Sequence, residues 1–260
     1  MISVLHLGML DYGSALQLQQ RLVSLRKEGR IGDILLLLEH TPVITLGRNA
    51  KAGNVLSSRQ HLEAKGVELF ECDRGGDVTF HGPGQLIAYP IFDLHGFASA
   101  DRTRKSMGAV EFVRRLEEVL IQVCDSFGID SARIAGLTGV WTSSNAREQA
   151  KIAAIGIHIS RGVTSHGFAL NVNTNLDYFR LIVPCGIASR PVTSIQKEIG
   201  QIVPMPEVEE VAIDAFGKVF QTNVVCLNAL DDLLKTGLDV PLKLPTEFRK
   251  IHEDEETSWA

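Results

Sequence analysis

KIAAIGIHISRGVTSHGFALNV (residues 151–172) decides the fold. Two apolar stretches, 151–160 and 164–172, flank the dipeptide Arg161-Gly162. Strands joined by so short a link pair antiparallel, so the spacing predicts a hairpin. Working outward, strands are expected at 3–7, 33–40, 43–48, 67–73, 86–94 and 139–142. Residues 33–40, DILLLLEH, form an unbroken apolar run, the pattern of a strand buried on both faces. Helix periodicity marks 12–27, where Leu18, Leu22 and Leu25 share a face. It also marks 106–127, where Val113, Leu116, Leu120, Val123 and Phe127 recur at spacings of 3 and 4 before Gly128. A short helical stretch is expected at 176–182. A longer one begins at Pro206, with Val208, Val211, Phe216, Val219 and Phe220 as apolar members.

Strands and helices mix without a regular βαβ alternation. The fold class expected is therefore α+β: a mixed, largely antiparallel sheet with flanking helices. Residues 1–235 read as a single domain and 236–260 as a polar C-terminal extension without periodicity.

The 260 residues carry a net charge of -5, which argues against general nucleic-acid binding. Arg102, Arg104, Lys105, Arg114 and Arg115 form a local basic cluster, read either as a solvated helix face or as a dock for an acidic partner. No apolar run reaches the roughly 18 residues of a membrane span. The N-terminus places Asp11 directly after its apolar stretch and reads as strand then helix, not as an export signal. Cys72, Cys124, Cys185 and Cys226 form no CxxC pair, so no zinc knuckle is expected, and reduced thiols in a cytoplasm are.

Three segments stand apart from plain scaffold. RGGDVTFHGPGQ (74–85) holds four glycines in twelve residues, which lets backbone approach a ligand closely. It is equally the composition of an unliganded hairpin turn. Lys151 heads an apolar strand; it is either a solvated strand end or a partly desolvated amine able to act as acid and base. Cys185 sits between Pro184 and Gly186, a setting that keeps bulk away from one side of the sulfur, whereas Cys72, Cys124 and Cys226 lie in apolar runs and read as buried hydrophobes.

Together these segments resemble the octanoyl (lipoyl) transferases, within the lipoate/biotin protein ligase superfamily. RGGDVTFHGPGQLIAYP fills every fixed position of RGGxxTxHGPGQxxxYP. KIAAIGIHISRGVTSHGFALNVNTNLDYFRLIVPCG and PVITLGRNAKAGNVL are similar to two further family segments, so the resemblance runs from about Leu35 to about Gly186. It implies a ligase-like fold and transfer of octanoyl from octanoyl-acyl carrier protein to a lysine of a lipoyl domain. The acceptors would be 2-oxoacid dehydrogenases and the glycine cleavage H protein, in the first step of lipoate cofactor synthesis. It assigns Cys185 as the acyl-bearing nucleophile and Lys151 as the group that lowers its pKa. It assigns acyl-substrate contacts to Arg74, Gly75, Gly76, Asp77, Val78, Thr79, Phe80 and His81, to Ala154, Ile155 and Gly156, and to Gly167, Phe168 and Ala169. Neither cofactor nor metal is implied.

The chemistry suits these residue types. A thiolate exchanges one thioester for another at little net cost, and the amide formed next is the more stable product, so no ATP is required. A cysteine with a pKa near 8.5 is only a few per cent thiolate at neutral pH, and a neighbouring ammonium raises that fraction. Each step passes through an oxyanion. Its candidate donors are the backbone at Gly75 and Gly76, Gly156 or Gly167, and His81. His158 and His166 read as structural. Phe168, Leu170 and the isoleucine-rich strand are candidate walls of an apolar trough. One rival is an ATP-dependent ligase of the same fold. The others are transfer between two protein lysines and an inactive acyl-binding module.

Overall fold

The computed structural model describes residues 1–101, 103–143, 149–184, 190–230 and 232. Cys185, Arg102 and the C-terminal stretch 236–260 therefore lie outside the described residues.

The hairpin forms as expected. Strand β9 (Lys151–Ser160) pairs antiparallel with β10 (Val163–Asn171), with Val163 opposite Ser160 and Gly167 opposite Gly156. Arg161 and Gly162 both have positive φ (52° and 81°), the geometry whose twist matches the flanking strands.

Around this hairpin runs an eight-stranded sheet. Its other strands are β1 (Ile2–Leu10), β2 (Asp33–His40), β6 (Gln85–Ile91), β7 (Ser131–Ile134), β8 (Leu137–Thr142) and β11 (Val224–Leu227). The spatial order is β11-β1-β2-β6-β10-β9-β8-β7. Pairing is parallel at β11-β1 and β1-β2 and antiparallel elsewhere. A small second sheet has the order β4-β3-β5, from β4 (Glu68–Glu71), β3 (Val43–Leu46) and β5 (Val78–His81). This is the mixed, largely antiparallel α+β architecture that the sequence predicts.

Strand β2 explains why the sheet sits in the middle. Leu35 and Leu37 pack with α3 (Ala109–Ser126) and α5 (Met205–Phe220), while Ile34, Leu36 and Leu38 pack with α1 (Tyr12–Lys27) on the other face. A central strand alternating between two apolar layers has no polar face to show, hence its unbroken apolar run. On the α3/α5 side, Phe92, Phe112, Phe216 and Phe220 form an aromatic cluster with centroids 5.3–6.3 Å apart. The small sheet has its own apolar layer around Ile44, Val78, Phe80 and Leu62.

Several details differ from expectation. The segment 74–85 is not all turn, since Val78–His81 pairs with Val43–Leu46 as β5. Helix α3 begins at Ala109, because Gly108 supplies an extended N-terminal boundary, and Val113 is only half-buried beside Phe112 and Leu116. The short α2 (Arg59–Ala64), α4 (Ile195–Ile199) and edge strands β7 and β11 carry little periodicity of their own. Of the three described cysteines only Cys124 is buried. Cys226 is exposed because it lies on edge strand β11. Among the described residues no helix is long and apolar enough to cross a membrane.

Leu120 of α3 is fully buried against the sheet. Leu120→Ala should lower unfolding free energy by roughly 2–5 kcal/mol, read as a lower urea midpoint with an unchanged slope.

Candidate active site

The glycine-rich segment crosses the hairpin. The Gly75 N–H donates to the Ile157 carbonyl at 2.9 Å, fixing the loop to β9. Closer approach is possible only because Gly156 has no side chain: a Cβ there would stand 2.7 Å from the Gly75 oxygen. The far side of the loop is held by the segment after β3, where the N–H groups of Arg48 and Asn49 donate to the carbonyls of Arg74 and Gly76.

Under this crossing lies a cleft of about 470 Å³ lined by Arg74 to Asp77, Thr79, His81, residues 154–156 and 166–169, Tyr12 and Tyr89. Two-residue alternation along β5 sorts the rest. Thr79 and His81 face the cleft, while Val78 and Phe80 are buried in the small sheet's core, Phe80 stacked on Tyr178 at 4.6 Å. The Phe168 ring packs on Phe216 at 6.0 Å, and Leu170 and Ile155 pack into the same core. Leu170 does not line the cleft, whereas Ile155 and Phe168 line it and also pack into that core. The small residues Ala154 and Ala169 and the rings of Tyr12 and Tyr89 line it too. Sequence reasoning missed both tyrosines, although Tyr89 stands in the YP of the glycine-rich signature.

A smaller adjoining cavity of about 280 Å³ shares Thr79, Ala154 and Ala169 with the first and is lined by Lys151 and Pro184. Pro184 directly precedes Cys185, which lies outside the described residues. Lys151 is not a solvated strand end. It is 8% exposed, β9 lies between β8 and β10, and its Nζ sits 5.1 Å from the centroid of the Trp141 ring. Its backbone is clamped too: its N–H donates to the Pro191 carbonyl and its carbonyl accepts from Thr193. Room for the side chain comes from Gly139. At φ 116°, a Cβ there would lie 2.8 Å from the Lys151 Cε and 2.5 Å from the Ala153 oxygen.

The electrostatics are uneven. The buried Arg74 guanidinium donates to the Thr45 hydroxyl (3.1 and 2.8 Å), the Thr45 carbonyl (2.6 Å) and the Gly75 carbonyl (3.1 Å). No carboxylate among the described residues pairs with it, so the positive charge is left to act on the cleft. Burial first, then the neighbouring His40 and Arg74, hold the His81 pKa well below the usual range, so its imidazole is neutral. The Gln85 amide nitrogen donates to the Phe80 and Asn171 oxygens, which turns its Oε1 to His81 Nδ1 at 2.8 Å. That oxygen can only accept, so Nδ1 carries the proton and Nε2 has none. His81 is thus not an oxyanion donor, and the Gly75 N–H is already committed to Ile157. His40 is likewise neutral, pushed down to about 4 by burial. Its Nδ1–H donates to the Leu10 carbonyl, and its Nε2 accepts from the Tyr89 hydroxyl at 2.7 Å. His166 bonds Asp73 at 2.7 Å and also lines the cleft; His158 stands 3.6 Å from the same carboxylate. Among the described residues no His, Cys, Asp or Glu group fit for a metal occurs.

The arrangement of sheets and helices around this cleft is a fold that known structures share. The bipartite lipoate protein ligase of Thermoplasma acidophilum superposes with a TM-score of 0.64 at 18% identity, covering 91% of each chain. Lipoate-protein ligase A bound with ATP gives 0.62 at 18% identity, covering 91% of this chain and 94% of that one. At sequence level, the profile of the Lipoyl protein ligase A/B catalytic domain matches residues 11–217. The octanoyltransferase of Koribacter versatilis is 57% identical over 255 residues, 98% of both chains. That of Acidobacterium capsulatum is 53% identical over 236 residues, 90% of this chain and 96% of that one. The chain belongs to the lipoyl protein ligase A/B catalytic-domain family, among its octanoyltransferases, and is an acyltransferase.

Two measurements check this geometry. Gly139→Ala should push against both the Lys151 side chain and the Ala153 carbonyl, lowering turnover by at least tenfold and the urea midpoint with it, as initial rates and denaturation would show. The second concerns His40, which is neutral in both states above its unfolded pKa of about 6.5. Below that the unfolded chain binds a proton that the folded chain refuses until about pH 4. Stability therefore falls as pH drops through that window, by about 2 kcal/mol between pH 7 and 5. Urea denaturation at the two pH values should show it, and His40→Gln should remove that part of the loss.

Proposed function

We propose that the protein moves octanoyl from octanoyl-acyl carrier protein to a lysine of a lipoyl domain through a thioester on Cys185, with Lys151 as its activating partner. The acceptors are the lipoyl domains of 2-oxoacid dehydrogenases and the glycine cleavage H protein, in the cytoplasm, as the first step of lipoate cofactor synthesis. Residues 1–235 form the acyltransferase domain. One observation carries this reading: Lys151 and Pro184 line a cavity that shares Thr79, Ala154 and Ala169 with the cleft beneath the glycine-rich loop.

The Lys151 ammonium, buried beside Trp141, favours the Cys185 thiolate; each 1.4 kcal/mol of such preference is about one pKa unit. The thiolate attacks the donor's carbonyl carbon, and a tetrahedral oxyanion forms. The bond to the carrier's sulfur breaks, and Lys151 gives that sulfur its proton. The acceptor's amine then attacks the Cys185 thioester and passes a proton back to Lys151, and the cysteine leaves as thiolate. No phosphoanhydride is broken. Arg74, a fixed cation without a carboxylate partner among the described residues, favours negative charge near the cleft.

Octanoylation of a lipoyl domain should proceed without ATP, followed by the acceptor's mass gain. Cys185→Ser should cut the rate at least a thousandfold. Wild-type turnover by that variant, or a strict need for ATP, contradicts the proposal.

A further inference from the structure

Two cavities meet at one side chain. His166 lines the cleft and also an open outer cavity beside α1, bounded by Leu16 and Val23 among polar side chains that include Gln19, Lys27 and Asp73. Its imidazole stands edge-on to the cleft-lining Tyr89 ring, with centroids 6.4 Å apart, while its Nε2 meets Asp73 on the outer side at 2.7 Å. The residue is 2% exposed, and its N–H donates to the Gln19 Oε1 at 2.8 Å. Its φ of 55° is a region that histidine rarely adopts, held here by these ties.

We propose that His166 is the end wall of the acyl channel and sets the chain-length limit of the enzyme. This rests on the octanoyl reading of the cleft. With the reacting carbonyl beside Lys151, the acyl tail runs over Ala154 and Ala169 toward Tyr12, Tyr89 and His166. His166 pairs with Ile157, six residues from Lys151, or about 20 Å of strand at roughly 3.3 Å per residue. The Lys151 side chain takes up part of that span at one end and the imidazole part at the other. An extended octanoyl chain, with C–C bonds of about 1.5 Å, spans roughly 9 Å and fits between them. Four further carbons would run into the imidazole. With the ring removed, they pass into the outer cavity against Leu16 and Val23.

His166→Gly is the direct test, because glycine adopts this φ without strain. Octanoyl- and dodecanoyl-acyl carrier protein are offered together, and the two acyl masses on the protein are compared at early time. Wild type should carry octanoyl almost alone. In His166→Gly the dodecanoyl-to-octanoyl ratio should rise at least tenfold. Asp73→Ala leaves the His166 ring in place but removes its outer tie, together with the carboxylate beside His158, and should raise the ratio about threefold. An unchanged ratio in a His166→Gly protein that still gains octanoyl overturns the gate and leaves the transfer reading intact. If His166→Gly gains neither mass, an unchanged ratio in Asp73→Ala overturns it. Wild-type protein that gains no acyl mass at all overturns both.

Discussion

The hydrogen bond from the Gly75 N–H to the Ile157 carbonyl joins the two parts of the site. It lays a loop that leads into the small sheet over the hairpin of the large one. The space enclosed between them is the cleft. Gly75 and Gly156 must both lack side chains for the contact to form, since a Cβ on Gly156 would press against the Gly75 carbonyl and one on Gly75 would crowd the Ile157 oxygen. The glycines of this segment thus serve geometry before chemistry. They let two backbones approach while Thr79 and His81 face inward and Val78 and Phe80 anchor the strand in its core.

A second constraint is the handling of charge in a buried site. Arg74 is surrounded by neutral oxygens from Thr45 and Gly75, so it is hydrogen-bonded while no carboxylate among the described residues pairs with it. The nearby imidazoles answer by staying neutral: His40 and His81 are desolvated, and each has its protonated nitrogen fixed by an acceptor. The fixed positive charge beside the cleft is then that of Arg74, which suits the oxyanion of the proposed acyl transfer.

Much of the fold was legible in the sequence, for identifiable reasons. The Arg161-Gly162 turn and the double-sided apolar run of β2 encode their structures locally, and the Leu18, Leu22 and Leu25 stripe does the same for α1. The edge strands β7 and β11 were not legible, because they form by pairing with distant segments and have too few residues for a pattern. At the site, the motif marked a loop that lines the cleft but not the direction of each side chain. That Val78 and Phe80 turn away follows only once β5 is seen as a strand. The tautomer of His81 depends on Gln85, and the orientation of the Gln85 amide on Phe80 and Asn171, a chain of contacts that no spacing reveals. The same holds for Tyr12 and Tyr89, brought to the cleft by elements far apart in sequence.

The central claim is that a buried ammonium ionises one particular thiol. The pH profile of Cys185 alkylation by iodoacetamide, in wild type and in Lys151→Ala, measures this directly. The account predicts a wild-type midpoint below the ordinary cysteine value of about 8.5 and a midpoint at least one unit higher in the variant. Superimposable profiles would contradict it.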